Sequence, residues 1–500
     1  MPIVADPLRK LAAYQSRAHR LEERWLQQCA RHLPVAHADS IWRYSHGDDS
    51  PRPEQGWKLH VSATVLNACE VLERVGPLLA SRGVRFKATR SLVELSRLNS
   101  GLYYGYSQVG KAMTVYPRSP AEAVELASRL YELTGRLPAP AVPFDLKFGG
   151  NIYYRFGAFK KMEAELEDGR RWLAIYDRDG ALVPDIRAAV SAKPDWVTDP
   201  FLAARKQTGR SKTLSPMAKT YRVFRALVQR GKGGVYQAIH IGAGGPRLCL
   251  LKEGRGQGEV RWDGRDGARM VRHEEQVISA LSGCGMDVPL VQASFELNGN
   301  FYLVTEFIEG ESLHSLLTRR ERRLIVPVVL RYGVQLSEIF RRLHAAGWVW
   351  RDCKPANILV TPEGRLRPID FEGACPAAQP DLLFWGTPGF TPPEWREPNP
   401  QVCVSGDLYA LGAMLYLLLT GRVPDATDLL PVVRLRREVP AQVVALVMRL
   451  LDQDPTLRPP AEEVSQVLKT ALLSANRSAQ PATGPHLALR RRHGHKAERL

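Results

Sequence analysis

The stretch from Trp348 to Glu372 constrains this chain more than any other. It reads Trp348-Val349-Trp350-Arg351-Asp352-Cys353-Lys354-Pro355-Ala356-Asn357-Ile358-Leu359-Val360 and then Pro368-Ile369-Asp370-Phe371-Glu372. The runs Ile358 to Val360 and Arg367 to Ile369 predict two short strands joined by the turn Pro362-Glu363-Gly364. Asp352 and Asn357 then lie on the loop before the hairpin, and Asp370 follows it. Phosphoryl transfer to a hydroxyl needs such a trio. One carboxylate orients the hydroxyl and takes its proton, while a second carboxylate and an amide hold Mg²⁺ against nucleotide phosphates.

The stretch resembles the catalytic and metal-binding loops of protein kinases, with Trp350 where most members have His and Glu372 where they have Gly. The resemblance assigns Asp352 as the catalytic carboxylate, Asn357 and Asp370 as metal ligands, and Lys354 to the nucleotide site. It extends upstream. Gln229-Arg230-Gly231-Lys232-Gly233-Gly234-Val235 resembles the glycine-rich loop over nucleotide phosphates, although only Gly233 falls on a family glycine when Val235 is aligned. Gly231, Gly233 and Gly234 are its candidate contacts. Lys252, at the end of Leu248-Cys249-Leu250-Leu251, matches the lysine that pairs with the α- and β-phosphates. Glu274 fits its ion-pair partner better than Glu275, because it keeps Val277, Ile278 and Leu281 on one helix face. Tyr302 to Ile308 resembles the strand entering the hinge, with Thr305 as gatekeeper and Glu306 near the adenine. Downstream, Gly386 to Glu394 resembles the end of an activation segment, Asp407 is expected to start the apolar helix Leu408 to Thr420, and Arg458 is expected to pair with Glu394. The implied cofactors are ATP or another nucleoside triphosphate, with Mg²⁺.

Five hundred residues imply two or three domains. The longest apolar run, Tyr409 to Thr420, is too short to span a bilayer. Met1 to Lys10 has no long apolar region, so neither a membrane nor a secretory role is expected. The seven cysteines are scattered and form no Cys-x-x-Cys, which predicts reduced thiols, a cytoplasmic setting and no zinc site. A net charge of +17 calls for anionic partners. Nucleic acid, acidic or phosphorylated peptides and nucleotides all satisfy that, and the charge alone does not choose among them; with the motifs above, nucleic acid is the least expected.

In the amino-terminal third, Leu21, Trp25 and Cys29 share helical spacing, which predicts a lead-in helix within residues 1–45. Asp48 to Gln55 reads as a loop. Trp57 to Ala63 alternates: Lys58, His60 and Ser62 take one face of a strand, and Trp57, Leu59, Val61 and Ala63 the other. Further strands follow at Val84 to Ala88, carrying Lys87, at Gly110 to Pro117, carrying Lys111, and at Asn151 to Gly157, carrying Arg155. Helices are expected over Ser62 to Leu79 and Pro120 to Gly135. Cations converging on strands build a phosphate pocket.

These strands, in this order, resemble the phosphothreonine-lyase-like domain that opens class III and class IV lanthipeptide synthetases. The resemblance runs from about Trp57 to Phe159. It implies β-elimination of phosphate from phosphoserine or phosphothreonine, and the residues suit that chemistry. Lys87 is the candidate base, made accessible as a neutral amine by neighbouring cations. His60 as imidazolium is the candidate acid. Lys58 polarises the substrate carbonyl, and Lys111 and Arg155 hold the phosphate. Related sequences often carry an Arg before Gly-Lys where this chain has Leu102 to Gln108; Arg90 or Arg97 is the candidate replacement.

Phe159 to Leu214 reads as a connector, with helical patches at Lys160 to Arg171, a strand at Trp172 to Tyr176 and an exposed basic loop at Lys206 to Lys212. Residues from Asn476 on read as a disordered basic tail. The expected fold is α+β and multidomain: a lead-in helix (1–45), a phosphothreonine-lyase-like α+β domain (46–160), a connector (161–215), a bilobal protein-kinase-like fold (216–475) and the tail (476–500), with no cyclase domain of the kind such synthetases usually carry. The expected activity is phosphorylation of Ser and Thr in a ribosomal precursor peptide with a leader, followed by phosphate elimination to dehydroalanine or dehydrobutyrine; ring closure would fall to a separate cyclase or other tailoring enzyme. Two alternatives stay open: a signalling Ser/Thr kinase with a phosphopeptide-binding domain, and a non-catalytic peptide scaffold.

Overall fold

The computed structural model describes residues 6–37, 40–46, 53–165, 169–185, 193–205, 219–319, 323–425 and 428–479. Helix α1 (Pro7–His32) starts at Asp6, whose side chain accepts from the Leu8 amide, with Pro7 as its first residue. It buries Trp25 and Cys29, as their spacing predicts, and the Trp25 indole donates to the Thr89 carbonyl. The lead-in is more than a helix. β1 (Val35–Ala36) and β2 (Trp42–Tyr44) continue it, and β2 pairs with the strand at Arg85–Thr89.

The strands β3 (Gln55–Val61), β4 (Arg85–Thr89), β5 (Met113–Tyr116), β6 (Leu146–Gly149) and β7 (Ile152–Ala158) join the first two in a seven-stranded antiparallel sheet, ordered β1-β2-β4-β5-β3-β7-β6. Its apolar face packs on α1, α2 (Ala68–Ser81) and α4 (Pro120–Thr134), with α3 (Leu92–Ser100) between α2 and α4 in the chain. Alternation decides the faces: Trp57, Leu59 and Val61 enter this core, so Lys58 and His60 occupy the other side. The helix expected from Ser62 begins only at Ala68. Ser62 and Thr64 are used elsewhere: the Ser62 hydroxyl donates to the Pro140 carbonyl, and Thr64 bonds Asn67.

Lys160 to Arg171 forms no helix among its described residues. β8 (Glu163–Glu165), β9 (Arg171–Tyr176) and β10 (Leu182–Pro184) make a small antiparallel sheet. Phe201 then stacks on Tyr154 at 3.9 Å between ring centres, within the core of the large sheet. The basic loop at 206–212 lies outside the described residues, as does most of the loop expected at 48–55.

The second half is bilobal. Its first lobe is a five-stranded sheet of β11 (Tyr221–Arg230), β12 (Gly233–Gly242), β13 (Gly245–Gly254), β14 (Val291–Leu297) and β15 (Asn300–Glu306), ordered β11-β12-β13-β15-β14, with α5 (Gly267–Gly283) against it. The second lobe is helical: α6 (Leu313–Arg319), α7 (Val326–Ala345), α8 (Val404–Thr420), α9 (Val432–Leu435), α10 (Ala441–Leu450) and α11 (Ala461–Ala479). Helix α11 runs four residues into the stretch expected to be disordered; the rest of that tail lies outside the described residues. Two short strands, β16 (Glu311–Ser312) and β17 (Trp348–Val349), precede the predicted hairpin, which is present as β18 (Ile358–Val360) and β19 (Leu366–Pro368) in antiparallel register. No helix among the described residues is long and apolar enough to cross a membrane.

The two halves touch at several points. The Gly231 amide, in the turn between β11 and β12, donates to the Ser100 carbonyl at 2.9 Å. Arg255 lies over the Tyr106 ring, and Arg17 of α1 donates to the Trp262 carbonyl. Leu11 of α1 packs against the apolar cluster of the helical lobe formed by Val349, Cys375, Leu382, Trp395 and Val402.

Candidate active sites

The polar face of the large sheet carries a cavity of about 90 Å³. Lys58 and His60 of β3, Lys87 of β4, Lys111 just before β5 and Arg155 of β7 all line it, so the five cations read from the sequence do converge. Gln108, Trp42 and Tyr116 complete most of the wall. Arg90 and Arg97 do not line it. Arg97 is bonded to Glu94 and lies over the Tyr103 ring, so the cation missing from the 102–108 loop is not replaced by either; Gln108 stands there instead.

Three residues of this site escaped the sequence reading. Asp145, on the loop before β6, accepts from His60 Nδ1 at 2.5 Å and lies 3.2 Å from the Lys111 ammonium. Burial works against its ionisation, but His60, Lys111 and Arg155 hold its carboxyl at about 2. Asp185, just after β10, binds the Arg155 guanidinium at 2.5 Å and fixes its plane. Trp42 lies under Lys87, with Nζ 4.1 Å from the ring centre. Asp145 directly follows the apolar, proline-rich run Leu137 to Phe144, and that isolation was its only signal.

His60 corrects the expectation of a resident imidazolium. Burial pushes its pKa down to about 4; Asp145 opposes the shift, while Lys111 and Lys58 reinforce it. This downward shift favours the neutral imidazole near pH 7, with Nδ1 donating to Asp145. A phosphate dianion among these cations adds the negative charge that favours protonation of the ring.

The second site lies between the lobes. Lys252 on β13 binds Glu274 of α5 at 2.6 Å, which fits the sequence choice over Glu275; the latter bonds Ser294 instead. Lys252 also contacts Asp370 at 3.0 Å and Glu372 at 2.8 Å. Asp370 adopts a positive φ of 65°, which turns the chain toward Lys252 after β19. Lys252 and Lys232 hold Asp370 well below the ordinary carboxylate range, against the effect of burial. Glu274 is pushed up to about 7 by burial, although Lys252 opposes it.

Asp352 lies on the loop after β17 (Trp348–Val349). Lys354 donates to its Oδ2 at 2.7 Å and Thr387 to its Oδ1 at 2.8 Å, while Asn357 donates to its backbone carbonyl at 2.9 Å. Burial raises its pKa. Asp407, expected to start a helix, lies instead one turn inside α8, which begins at Val404. It is fully buried, and its carboxylate accepts from the amides of Trp350 and Arg351 at 2.8 and 2.9 Å, pinning the catalytic loop. Trp350, where most kinases have His, donates from its indole to the Asp370 carbonyl and stacks its ring on Phe371. The bidentate pair of Arg458 with Glu394 is present at 2.5 and 2.9 Å.

The expected nucleotide-site residues also have partners within the protein. The Glu306 carboxylate accepts from Arg367 and from the Leu290 amide, so its side chain ties this end of β15 to β19 and to the residue before β14. The glycines of the loop answer to close packing. A Cβ on Gly231 would meet the Asn99 carbonyl oxygen at 1.6 Å, and one on Gly233 would meet the Glu253 carbonyl oxygen at 1.7 Å. Gly234 pairs with Gln229 and Glu253 within the sheet.

The donors near Lys252 suit Mg²⁺. Asp370, Glu274 and Glu372 bring carboxylate oxygens within 4.8 Å of one another, and a hard dication prefers such oxygens. Of the two ligands expected from the sequence, Asp370 belongs to this group, while the Asn357 amide bonds Asp352.

Fold and sites together define a protein-kinase-like fold joined to a cation-lined α+β domain. Residues 26–213 match the family described as RamC, N-terminal domain, and residues 231–468 match the protein kinase domain family. The resemblance to class III and class IV lanthipeptide synthetases is borne out by that pairing and by the curated relatives. A probable SapB synthase of Streptomyces coelicolor is 32% identical over 422 residues, 82% of this chain and 44% of that protein. A probable serine/threonine-protein kinase, pknA2 of Bifidobacterium longum, is 30% identical over 53% of this chain and 38% of its own length. Serine/threonine-protein kinase PknA of Mycobacterium tuberculosis is 29% identical over 42% of this chain and 48% of its own. The chain thus spans less than half the length of these relatives. A kinase domain implies use of a nucleotide, ATP, typically with Mg²⁺.

Proposed function

We propose that this protein dehydrates Ser and Thr residues of a ribosomally made precursor peptide in two steps, phosphorylation and then phosphate elimination. The observation that carries the reading is the coexistence in one chain of the Lys252, Asp352, Asn357 and Asp370 constellation with a cavity lined by Lys58, His60, Lys87, Lys111 and Arg155.

In the first step Asp352, held by Lys354 and Thr387, accepts a hydrogen bond from the substrate hydroxyl and takes its proton as the oxygen bonds to phosphorus. Lys252, braced by Glu274, positions the phosphates. Nucleotide with Mg²⁺ supplies the phosphoryl group and offsets the charge on its oxygens. In the second step Lys111 and Arg155 hold the phosphate of the modified residue. Lys58 polarises the adjacent carbonyl, and Lys87 removes the Cα proton. The electron pair of that C–H bond forms the Cα–Cβ double bond, and the Cβ–O bond breaks. His60, protonated once phosphate is bound, gives its Nε2 proton to the leaving oxygen. Dehydroalanine or dehydrobutyrine and inorganic phosphate result. The seven free cysteines, five of them buried, support a reducing, cytoplasmic setting.

The test is mass spectrometry of a Ser/Thr-rich candidate precursor incubated with the protein, ATP and Mg²⁺. Loss of the mass of one water per site is expected. Stable gain of phosphate would instead make the protein a phosphorylating enzyme alone.

A further inference from the structure

The turn over the nucleotide site differs from a phosphate-cradling loop in a way that moves the burden of binding to a side chain. β11 and β12 are joined by only two residues, Gly231 and Lys232. The Gly231 amide, the kind of donor that would cradle a phosphate, is already given to the Ser100 carbonyl of the amino-terminal half. A Cβ on Gly231 would strike the Asn99 carbonyl, so this turn is pressed onto that half. The Lys232 carbonyl accepts from the Arg255 amide at 2.8 Å, which fixes the second residue of the turn as well.

With its backbone fixed, Lys232 sends its side chain into the cleft. The Lys232 ammonium bonds Oε2 of Glu372, and the Lys252 ammonium lies 2.8 Å from Oε1 of the same carboxylate. Two ammoniums are therefore separated by one carboxylate, at the spot where the family carries glycine. The cluster holds three carboxylates, Glu274, Asp370 and Glu372, against these two cations. The Glu372 side chain is only 1% exposed, whereas that of Lys232 is 27% exposed. The lysine is thus the member of the pair that an incoming ligand can reach.

We infer that Lys232 is a second phosphate-binding cation of the nucleotide site, delivered by the hairpin turn and held beside Lys252 by Glu372, which acts as a positioning residue. The inference rests on the phosphotransferase reading of this cleft. A nucleoside di- or triphosphate presents its oxygens to Lys252 and Lys232 together. Lys232 thereby replaces the backbone donor committed to Ser100. The ligand class is set by the charge: a nucleoside without phosphate gains nothing from Lys232.

The test is calorimetric titration of the full chain with ATP, ADP and adenosine, each with Mg²⁺, comparing the parent with Lys232→Met and Lys232→Arg. Lys232→Met is expected to weaken ATP and ADP binding by about tenfold, the effect of removing one charge-assisted contact. Adenosine binding should stay unchanged, which also reports that the site is folded. Lys232→Arg should recover most of the lost affinity. ATP binding by Lys232→Met within about twofold of the parent, or an equal loss for adenosine, would overturn the inference. A parent protein that binds adenosine but gains nothing from phosphates would overturn the phosphotransferase reading, and this one with it.

Discussion

His60 shows how a single side chain links folding to chemistry. Its ring is buried between cations and keeps one partner of opposite charge, Asp145. Folding lowers its pKa from 6.5 to about 4. As pH falls, the unfolded chain therefore takes up the proton first. The stabilising contribution is fully present above about pH 6.5 and is lost progressively toward pH 4. Melting temperatures should drop between pH 7 and pH 5, and His60→Gln should flatten that slope; parallel slopes for the two proteins would contradict the assignment. Adding inorganic phosphate should raise the His60 pKa, readable as a shift of its ring resonances. The residues on this face were legible because alternation in β3 places Lys58 and His60 together. Asp145, Asp185 and Trp42 were not, because each reaches the cavity from a loop or strand whose own sequence shows no period pointing there. The protonation state of His60 was also hidden, since burial is a property of the packed sheet.

At the scale of elements, buried ion pairs hold the helical lobe around the catalytic loop. Arg458 is fully buried, binds Glu394 through two nitrogens, and donates to the carbonyls of Asp452 and Ser405. Removing one partner of a buried pair leaves the other charge unpaired, at a cost of about 3–5 kcal/mol. Arg458→Met should therefore destabilise the helical lobe by about that much in a denaturant titration, with the amino-terminal sheet little affected. A loss below about 1 kcal/mol would show that the pair is replaceable. The β18–β19 hairpin was readable from local pattern; this pairing and the Lys252–Glu274 contact were readable from the resemblance to protein kinases, with helix periodicity choosing Glu274 over Glu275. The start of α8 was not. Asp407 has the chemistry of a helix cap, yet its carboxylate is drawn to the amides of Trp350 and Arg351, a contact across 56 residues of chain that no local pattern encodes. The strand β8 was misread as helix for a similar reason: alternating charges suit either element, and pairing with β9 decides.

At the scale of the whole molecule, the two halves meet at the turn that covers the nucleotide cleft. Gly231 packs against Asn99 and Ser100, and the Asn99 side chain in turn accepts from the Gly110 amide, next to Lys111. Gly231→Val must push this turn off the 99–101 segment. Hydrogen exchange should then quicken at both 99–110 and 231–233; unchanged exchange at 99–110 would argue that the contact carries no packing energy. The order of the two halves was legible in their motifs. Their mutual contact was not, because the glycines at 231 and 233 read as phosphate-loop residues while the packing around them sets the requirement. The two chemistries proposed for this chain are separable by mutation, and the direct measurement is mass spectrometry of precursor peptide treated with Lys87→Ala, ATP and Mg²⁺, beside Asp352→Ala given a synthetic phosphopeptide. Phosphorylated peptide should accumulate with Lys87→Ala, and Asp352→Ala should still eliminate phosphate from the phosphopeptide. Dehydration by Lys87→Ala as fast as by the parent would contradict the lyase assignment of the amino-terminal cavity.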